Sequence, residues 1–210
     1  MTHRSKLWFV TFLTLVRFPL VIVFFIGALV HSRQPDPRLF AVVFALLAAS
    51  TLTDVFDGYF ARRFQVVTRF GAHADPLMDK LFYLTTLPLL VYIAASNHHQ
   101  THAVALLILT VLLLSRDQWV SFLRSIGAMY NVSGSATWSG KLRTGINFPL
   151  VCTIYYYEEA PAAALFFDMR VVYAFEVLAL TINMVSLWIY TRRYWPYLRR
   201  TLQPPDAPSS

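Results

Sequence analysis

Four aspartates stand at fixed spacing between two apolar stretches: Asp54, Asp57, Asp75 and Asp79. The segment TDVFDGYFARRFQVVTRFGAHADPLMDK reads D-x2-D-G-x2-A-R-x8-G-x3-D-x3-D from Asp54 to Asp79. Ionised carboxylates beside a membrane interior are costly, and they ordinarily face a polar cavity and mark function. Four converging acids call for compensating positive charge. Two divalent cations supply it, and paired divalent ions serve phosphoryl chemistry. At about 100° per residue, Asp54, Asp57, Gly58 and Ala61 fall on one helical stripe roughly 100° wide, with Arg62 at its edge. Gly71, Asp75 and Asp79 fall on a second stripe roughly 80° wide. Each helix thus presents two acids at i,i+3 or i,i+4. The small residues Gly58, Ala61 and Gly71 on the same stripes leave room for a ligand or for close backbone approach.

The elements that must hold these acids are apolar blocks. The 210-residue chain is 57% hydrophobic with 14% charged residues, too apolar for an ordinary soluble domain. Its blocks have the length of membrane spans. Six spans are predicted, at about 7–30, 40–59, 77–95, 103–123, 146–157 and 171–190, forming a single all-α integral-membrane domain over 1–200. Residues 201–210, rich in Pro and Ser, read as a disordered tail. Gln34-Pro35-Asp36-Pro37 breaks the chain after the first span, the Ser/Gly-rich 131–140 separates the fourth from the fifth, and Pro161 interrupts the link to the sixth. Neither an internal repeat nor a second domain is visible. Arg4 and Lys6 precede the first apolar run, which is too long for a signal-peptide h-region and lacks an A-x-A end, so it reads as a retained span.

Formal net charge is +7. The basic residues flank apolar blocks, which points to anionic lipid headgroups and topology control and not to nucleic acid. With six spans, one side holds Arg4, Lys6, Arg62, Arg63, Arg69, Arg124, Lys141, Arg143, Arg192, Arg193, Arg199 and Arg200, against Arg33, Arg38 and Arg170 on the other. The positive-inside rule then puts both termini, and the aspartate cluster, on the cytoplasmic side. Arg17, Lys80 and Arg116 lie at or within spans. Arg17 reads as a snorkelling residue or as part of the site. Arg116 and Arg124, eight residues apart, share a helical face.

The aspartate segment resembles the signature of the CDP-alcohol phosphotransferase (CDP-alcohol phosphatidyltransferase) family. Asp54, Asp57, Gly58, Ala61, Arg62, Gly71, Asp75 and Asp79 match it within 26 residues. Within the family the chain most resembles the phosphatidylglycerophosphate synthases. FLTLVR ending at Arg17 is similar to their L-T-x-x-R element, and DPLMDK to their D-P-x-A-D-K. SRDQWVSFLRS and WSGKLRT are similar to R-E-x3-S-x-L-R and G-K-x-K-T, with Arg116, Ser121, Arg124, Gly140, Lys141 and Thr144 matching. Thr11, Met78, Asp117 and Arg143 depart from those patterns, and Ser115 to Asp117 also resembles the eukaryote-type cardiolipin synthases.

The resemblance implies a six-helix bundle that moves a phosphatidyl group from CDP-diacylglycerol to an alcohol, with CMP leaving. Glycerol 3-phosphate is the expected acceptor. Phosphatidylglycerol, inositol phosphate and serine are the alternatives, and an ion or metal transporter built on the acids is the reading from another class. The resemblance implies two Mg2+ or Mn2+ ions held by Asp54, Asp57, Asp75 and Asp79, with Asp79 also the candidate general base. Gly58, Ala61, Arg62 and Gly71 would face the nucleotide, and Arg116, Arg124, Lys141 and Arg143 would hold the acceptor phosphate. The expected partners are CDP-diacylglycerol, a small phosphorylated alcohol and membrane lipids, with no nucleic acid, and the family's habit implies a homodimer.

Other features carry plainer readings. His98, His99 and His102 read as loop histidines on the side away from the acids, and not as a metal site. GSATWSGK has five residues between its glycines and Leu142 after the Lys, so it is not a P-loop. Asn131-Val132-Ser133 is a sequon on the expected cytoplasmic side. Cys152, the single cysteine, reads as a small core residue, and Tyr155 to Tyr157 read as an interfacial belt.

Overall fold

The computed structural model describes residues 3–64, 69–132 and 138–202, with the side chains there except those at 3–7, 54, 55, 57–59, 61, 62, 69–73, 75 and 141. The described residues form six helices, α1 (His3–Arg33), α2 (Pro37–Phe64), α3 (Arg69–Ser96), α4 (Gln100–Met129), α5 (Trp138–Glu159) and α6 (Met169–Thr201), with one 3-10 turn at Ala162–Ala164. No strand occurs among the described residues. The all-α membrane class therefore stands. Four segments are long and apolar enough to cross a bilayer: Trp8–Arg33, Pro76–Ser96, Gln100–Met129 and Met169–Thr201. Pro37–Thr53 is a shorter apolar stretch, and α5 falls outside the set. The reason lies in α5 itself. Its first two turns carry Lys141 and Arg143, and it ends in Glu158-Glu159, which leaves an apolar middle shorter than the 18 or so residues that a span requires.

Sequence periodicity sets which face of each helix turns inward. In α4 the buried positions are 102, 103, 106, 109, 110, 113, 116, 117, 120, 123, 126 and 127, an unbroken 3–4 repeat. Leu107, Ile108 and Val111 on the other face are exposed. So are Val177 and Trp188 of α6, apolar side chains left outside because their solvent is lipid. α1 packs on α2 and α3, α4 on α3 and α6, and α5 on α2, α3 and α6. Gly27 makes the first of these contacts close, since a Cβ there would stand 2.8 Å from Val43 Cγ2.

The main core joins all six helices through Phe24, Phe40, Leu47, Phe82, Leu90, Ile93, Leu106, Ile154 and Val172. Tyr155 belongs to this core. It is fully buried and stacks near Phe40 and Phe44, with centroids 6.0 and 6.5 Å apart. The expected interfacial belt therefore fails at Tyr155, because its position on α5 faces α1 and α2. Tyr156 and Tyr157 are half-buried, and Tyr156 Oη donates to Ala164 O at 2.6 Å. Cys152 is half-buried against the same core. Thr51 and Thr86 donate back to the carbonyls of Leu47 and Phe82, at 3.0 and 2.8 Å, which satisfies their hydroxyls where water is scarce.

Candidate active site

The helical backbone runs unbroken through Asp54, Asp57, Gly58, Ala61 and Arg62 to the C-terminal end of α2, and through Gly71, Asp75 and Asp79 at the N-terminal end of α3. Each aspartate pair therefore lies one turn apart on a helix, as the spacing requires. Pro76 inside α3 removes the N–H that would bond the carbonyl of residue 72, between Gly71 and Asp75. The side chains of Asp54, Asp57, Gly58, Ala61, Arg62, Gly71, Asp75 and Lys141 lie outside the described residues.

Asp79 is described, and it has a partner from another helix. Arg17 of α1, 1% exposed, donates through Nη1 to Asp79 Oδ1 at 3.0 Å. Arg17 therefore does not snorkel to an interface. α1 turns it inward, and a buried guanidinium needs a carboxylate.

The described candidate acceptor residues come together from two helices. Arg116 and Arg124 lie on α4 and Arg143 on the first turns of α5. Between Arg116 and Arg143 stands Asp117. Arg143 Nη1 donates to both of its carboxylate oxygens, at 2.7 and 2.9 Å, and Arg116 Nη1 to Oδ1 at 2.9 Å. Arg116 Nη2 donates to Ser186 Oγ of α6. Arg124 Nη2 donates to Tyr190 Oη at 2.8 Å. Tyr190 also lies beneath the guanidinium groups of Arg116 and Arg124, at 5.5 and 5.2 Å from its ring centre. Arg143 lies 5.9 Å from the ring centre of Tyr83 on α3, and the charge of Asp79 acts on it.

Arg116 and Arg143 share the Asp117 carboxylate and Arg124 joins them across Tyr190, so among the described residues these four charged groups carry an excess of two positive charges. The buried Nε atoms of Arg116, Arg124 and Arg143 find no acceptor among the described residues. Buried N–H donors without acceptors are costly, and an anion lodged among them would satisfy them.

Sequence reasoning missed Arg17 as the partner of Asp79, and also Asp117, Ser186 and Tyr190. α6 did carry a signal. Glu176, Asn183, Ser186 and Tyr190 recur at spacings of seven, three and four in an apolar helix, and all four are buried. Asn183 Nδ2 donates to Asn147 Oδ1 of α5 at 3.0 Å on this stripe.

A second polar cluster occupies the opposite end of the bundle. His102 lies inside α4 and is 1% exposed, which corrects its expected place in a loop; His99 is the residue before that helix. His102 Nδ1 is 2.6 Å from Glu158 Oε1 and its Nε2 is 2.9 Å from Glu176 Oε1. His99 Nδ1 is 2.9 Å from Glu158 Oε2, and Asn97 Nδ2 donates to Glu158 O at 2.7 Å. His31 Nε2 lies 3.3 Å from Glu159 Oε2. A cavity of about 360 Å³ opens there, lined by His31, Ser32, Asp36, Asn97, Glu158 and Glu159 among others. Among the described residues no group of three or more His, Cys, Asp or Glu is placed to hold a metal ion. The histidines and acids here are spent on one another.

A family model described as CDP-alcohol phosphatidyltransferase matches residues 8–189 of the chain. The chain is 34% identical over 138 residues to the "CDP-diacylglycerol--glycerol-3-phosphate 3-phosphatidyltransferase" of Yersinia pestis (strain Pestoides F), covering 64% of this chain and 69% of that protein. Proteins of the same name are similar to it from Haemophilus influenzae, 32% over 137 residues with 63% and 67% covered, and from Pectobacterium atrosepticum, 33% over 134 residues with 64% and 69% covered.

Proposed function

Because the chain belongs to the CDP-alcohol phosphatidyltransferase family, we propose that it transfers the phosphatidyl group of CDP-diacylglycerol to glycerol 3-phosphate, giving phosphatidylglycerophosphate and CMP. One observation supports a phosphorylated alcohol as the acceptor: Arg116 and Arg143 meet on Asp117, Arg124 joins them across Tyr190, and the three carry two positive charges in excess and three unanswered N–H donors. A phosphate monoester carries about −1.5 to −2 charges at pH 7 and offers three acceptor oxygens, which match that excess. Serine carries no phosphate, and the phosphodiester of phosphatidylglycerol carries a single charge. Inositol phosphate fits the same charge, and the names of the relatives favour glycerol 3-phosphate over it.

In this reading, Asp54 and Asp57 on α2 and Asp75 and Asp79 on α3 form an all-oxygen donor set suited to hard divalent cations such as Mg2+ or Mn2+. When bound, two such ions neutralise the diphosphate and stabilise the departing CMP phosphate. Gly58, Ala61 and Gly71 leave space for the nucleotide beside these acids, and Arg62 pairs with a phosphate. The arginine cluster seats the acceptor phosphate and aims the acceptor hydroxyl at the phosphatidyl phosphorus. Asp79 takes the proton of that hydroxyl as the new P–O bond forms and the bond to CMP breaks. Arg17 fixes the rotamer of Asp79 through its 3.0 Å contact. The excess of basic residues at this end supports a site at the cytoplasmic leaflet, with six crossings and both termini inside.

The test is CMP release by the purified protein in detergent, with Mg2+ or with chelator, across glycerol 3-phosphate, phosphatidylglycerol, inositol phosphate and serine, and by its Asp79→Asn variant. Metal-dependent release with glycerol 3-phosphate is expected, and the variant should lose about 10²–10⁴-fold, the usual weight of a general base. Release with phosphatidylglycerol but none with glycerol 3-phosphate would overturn the acceptor, and an active Asp79→Asn variant would overturn the base.

A further inference from the structure

The arginines that the proposed function assigns to the acceptor phosphate do not hold themselves in place. Arg116 and Arg124 lie two helical turns apart on α4, about 12 Å along the axis, and like charges on long side chains tend to separate. A single residue of α6 gathers them. Tyr190, 1% exposed, places its ring 5.5 Å from the Arg116 guanidinium and 5.2 Å from that of Arg124, and its hydroxyl accepts from Arg124 Nη2 at 2.8 Å. One turn earlier on α6, the fully buried Ser186 accepts from Arg116 Nη2. Tyr190 is itself braced by the parallel ring of Tyr194, 6.4 Å away at 2°.

We propose that the Ser186–Tyr190 face of α6 is a platform that sets acceptor specificity, with Tyr190 the positioning residue that converges Arg116 and Arg124 on one anion. This rests on the reading of the arginines as the acceptor-phosphate pocket. The aromatic face draws both guanidinium groups to it in a desolvated setting. The Tyr190 hydroxyl and Ser186 each occupy a terminal nitrogen and leave both Nε donors for the ligand. Neither α6 residue touches the substrate in this arrangement, so both act through the arginines alone.

The experiment measures KM and kcat separately for glycerol 3-phosphate and for CDP-diacylglycerol in the wild type and in Tyr190→Phe, Tyr190→Leu and Ser186→Ala. Tyr190→Phe, which keeps the ring, should raise the KM for glycerol 3-phosphate about tenfold, the cost of one hydrogen bond to a charged group. Tyr190→Leu should raise it further. The KM for CDP-diacylglycerol should stay within twofold in both. An unchanged KM for glycerol 3-phosphate in folded Tyr190 variants, or a parallel rise in both KM values, would overturn the platform. Should the Tyr190 variants fail to elute as a single species, Ser186→Ala decides by the same two criteria. A wild type that releases no CMP with glycerol 3-phosphate would instead reject the acceptor reading, whatever the variants do.

Discussion

Asp117 shows how far one side chain can hold a site together. It is the carboxylate to which Arg116 and Arg143 both donate, and the three side chains are at most 11% exposed. A buried charge that loses its partner costs about 3–5 kcal/mol, far more than the intact pair contributes. Asp117→Asn should therefore lower the thermal unfolding midpoint in detergent markedly. It also deprives Arg116 and Arg143 of the carboxylate they share, so inorganic phosphate should recover more of the midpoint in the variant than it adds to the wild type. Equal phosphate effects in both proteins would mean that the cluster is not an anion pocket. The pairing of Arg17 with Asp79 follows the same logic. Residues 62 positions apart meet because neither charge can be buried alone.

At the scale of elements, α4 and α6 close on each other at a glycine. A Cβ at Gly127 would stand 2.8 Å from Cδ1 of Tyr194, nearer still to its Cε1, and that ring is fully buried. The contact sits one turn from Arg124 and one turn from Tyr190, so it fixes the distance over which their hydrogen bond forms. Gly127→Ala should push α6 from α4, destabilise the protein by about 1–3 kcal/mol as overpacking does, and raise the KM for glycerol 3-phosphate. Thermal unfolding and acceptor kinetics on the same preparation check both effects, and a variant with wild-type acceptor KM would separate helix spacing from the site.

For the whole molecule, polar chemistry is divided between the two ends of an antiparallel bundle. At one end are the acids of α2 and α3 with the arginines of α4 and α5. At the other, His102 bridges Glu158 of α5 and Glu176 of α6, while His31 meets Glu159. This far cluster ties α1, α4, α5 and α6 together where the apolar content of α5 is too short to hold it as a span by itself. Glu158→Gln should thus lower the unfolding midpoint, with a cost on the order of 3–5 kcal/mol for the orphaned partner, and leave the KM for glycerol 3-phosphate unchanged. A specific rise in that KM would show that the two ends are coupled.

The amino-acid pattern was sufficient for whatever depends on neighbours along one helix. Apolar blocks specified six helices and a membrane class, and the four aspartates fell one turn apart in pairs because helical period converts spacing directly into direction. Arg116 and Arg124 were placed on one face for the same reason. Packing alone decided which face meets which. The turning of Arg17 toward Asp79, the seat of Arg143 on Asp117, Tyr190 beneath two arginines and Tyr155 in the core all join residues tens of positions apart. Side-chain period fixes where a residue points from its own axis, whereas its partner depends on how whole helices pack and on the need to leave no buried charge unanswered.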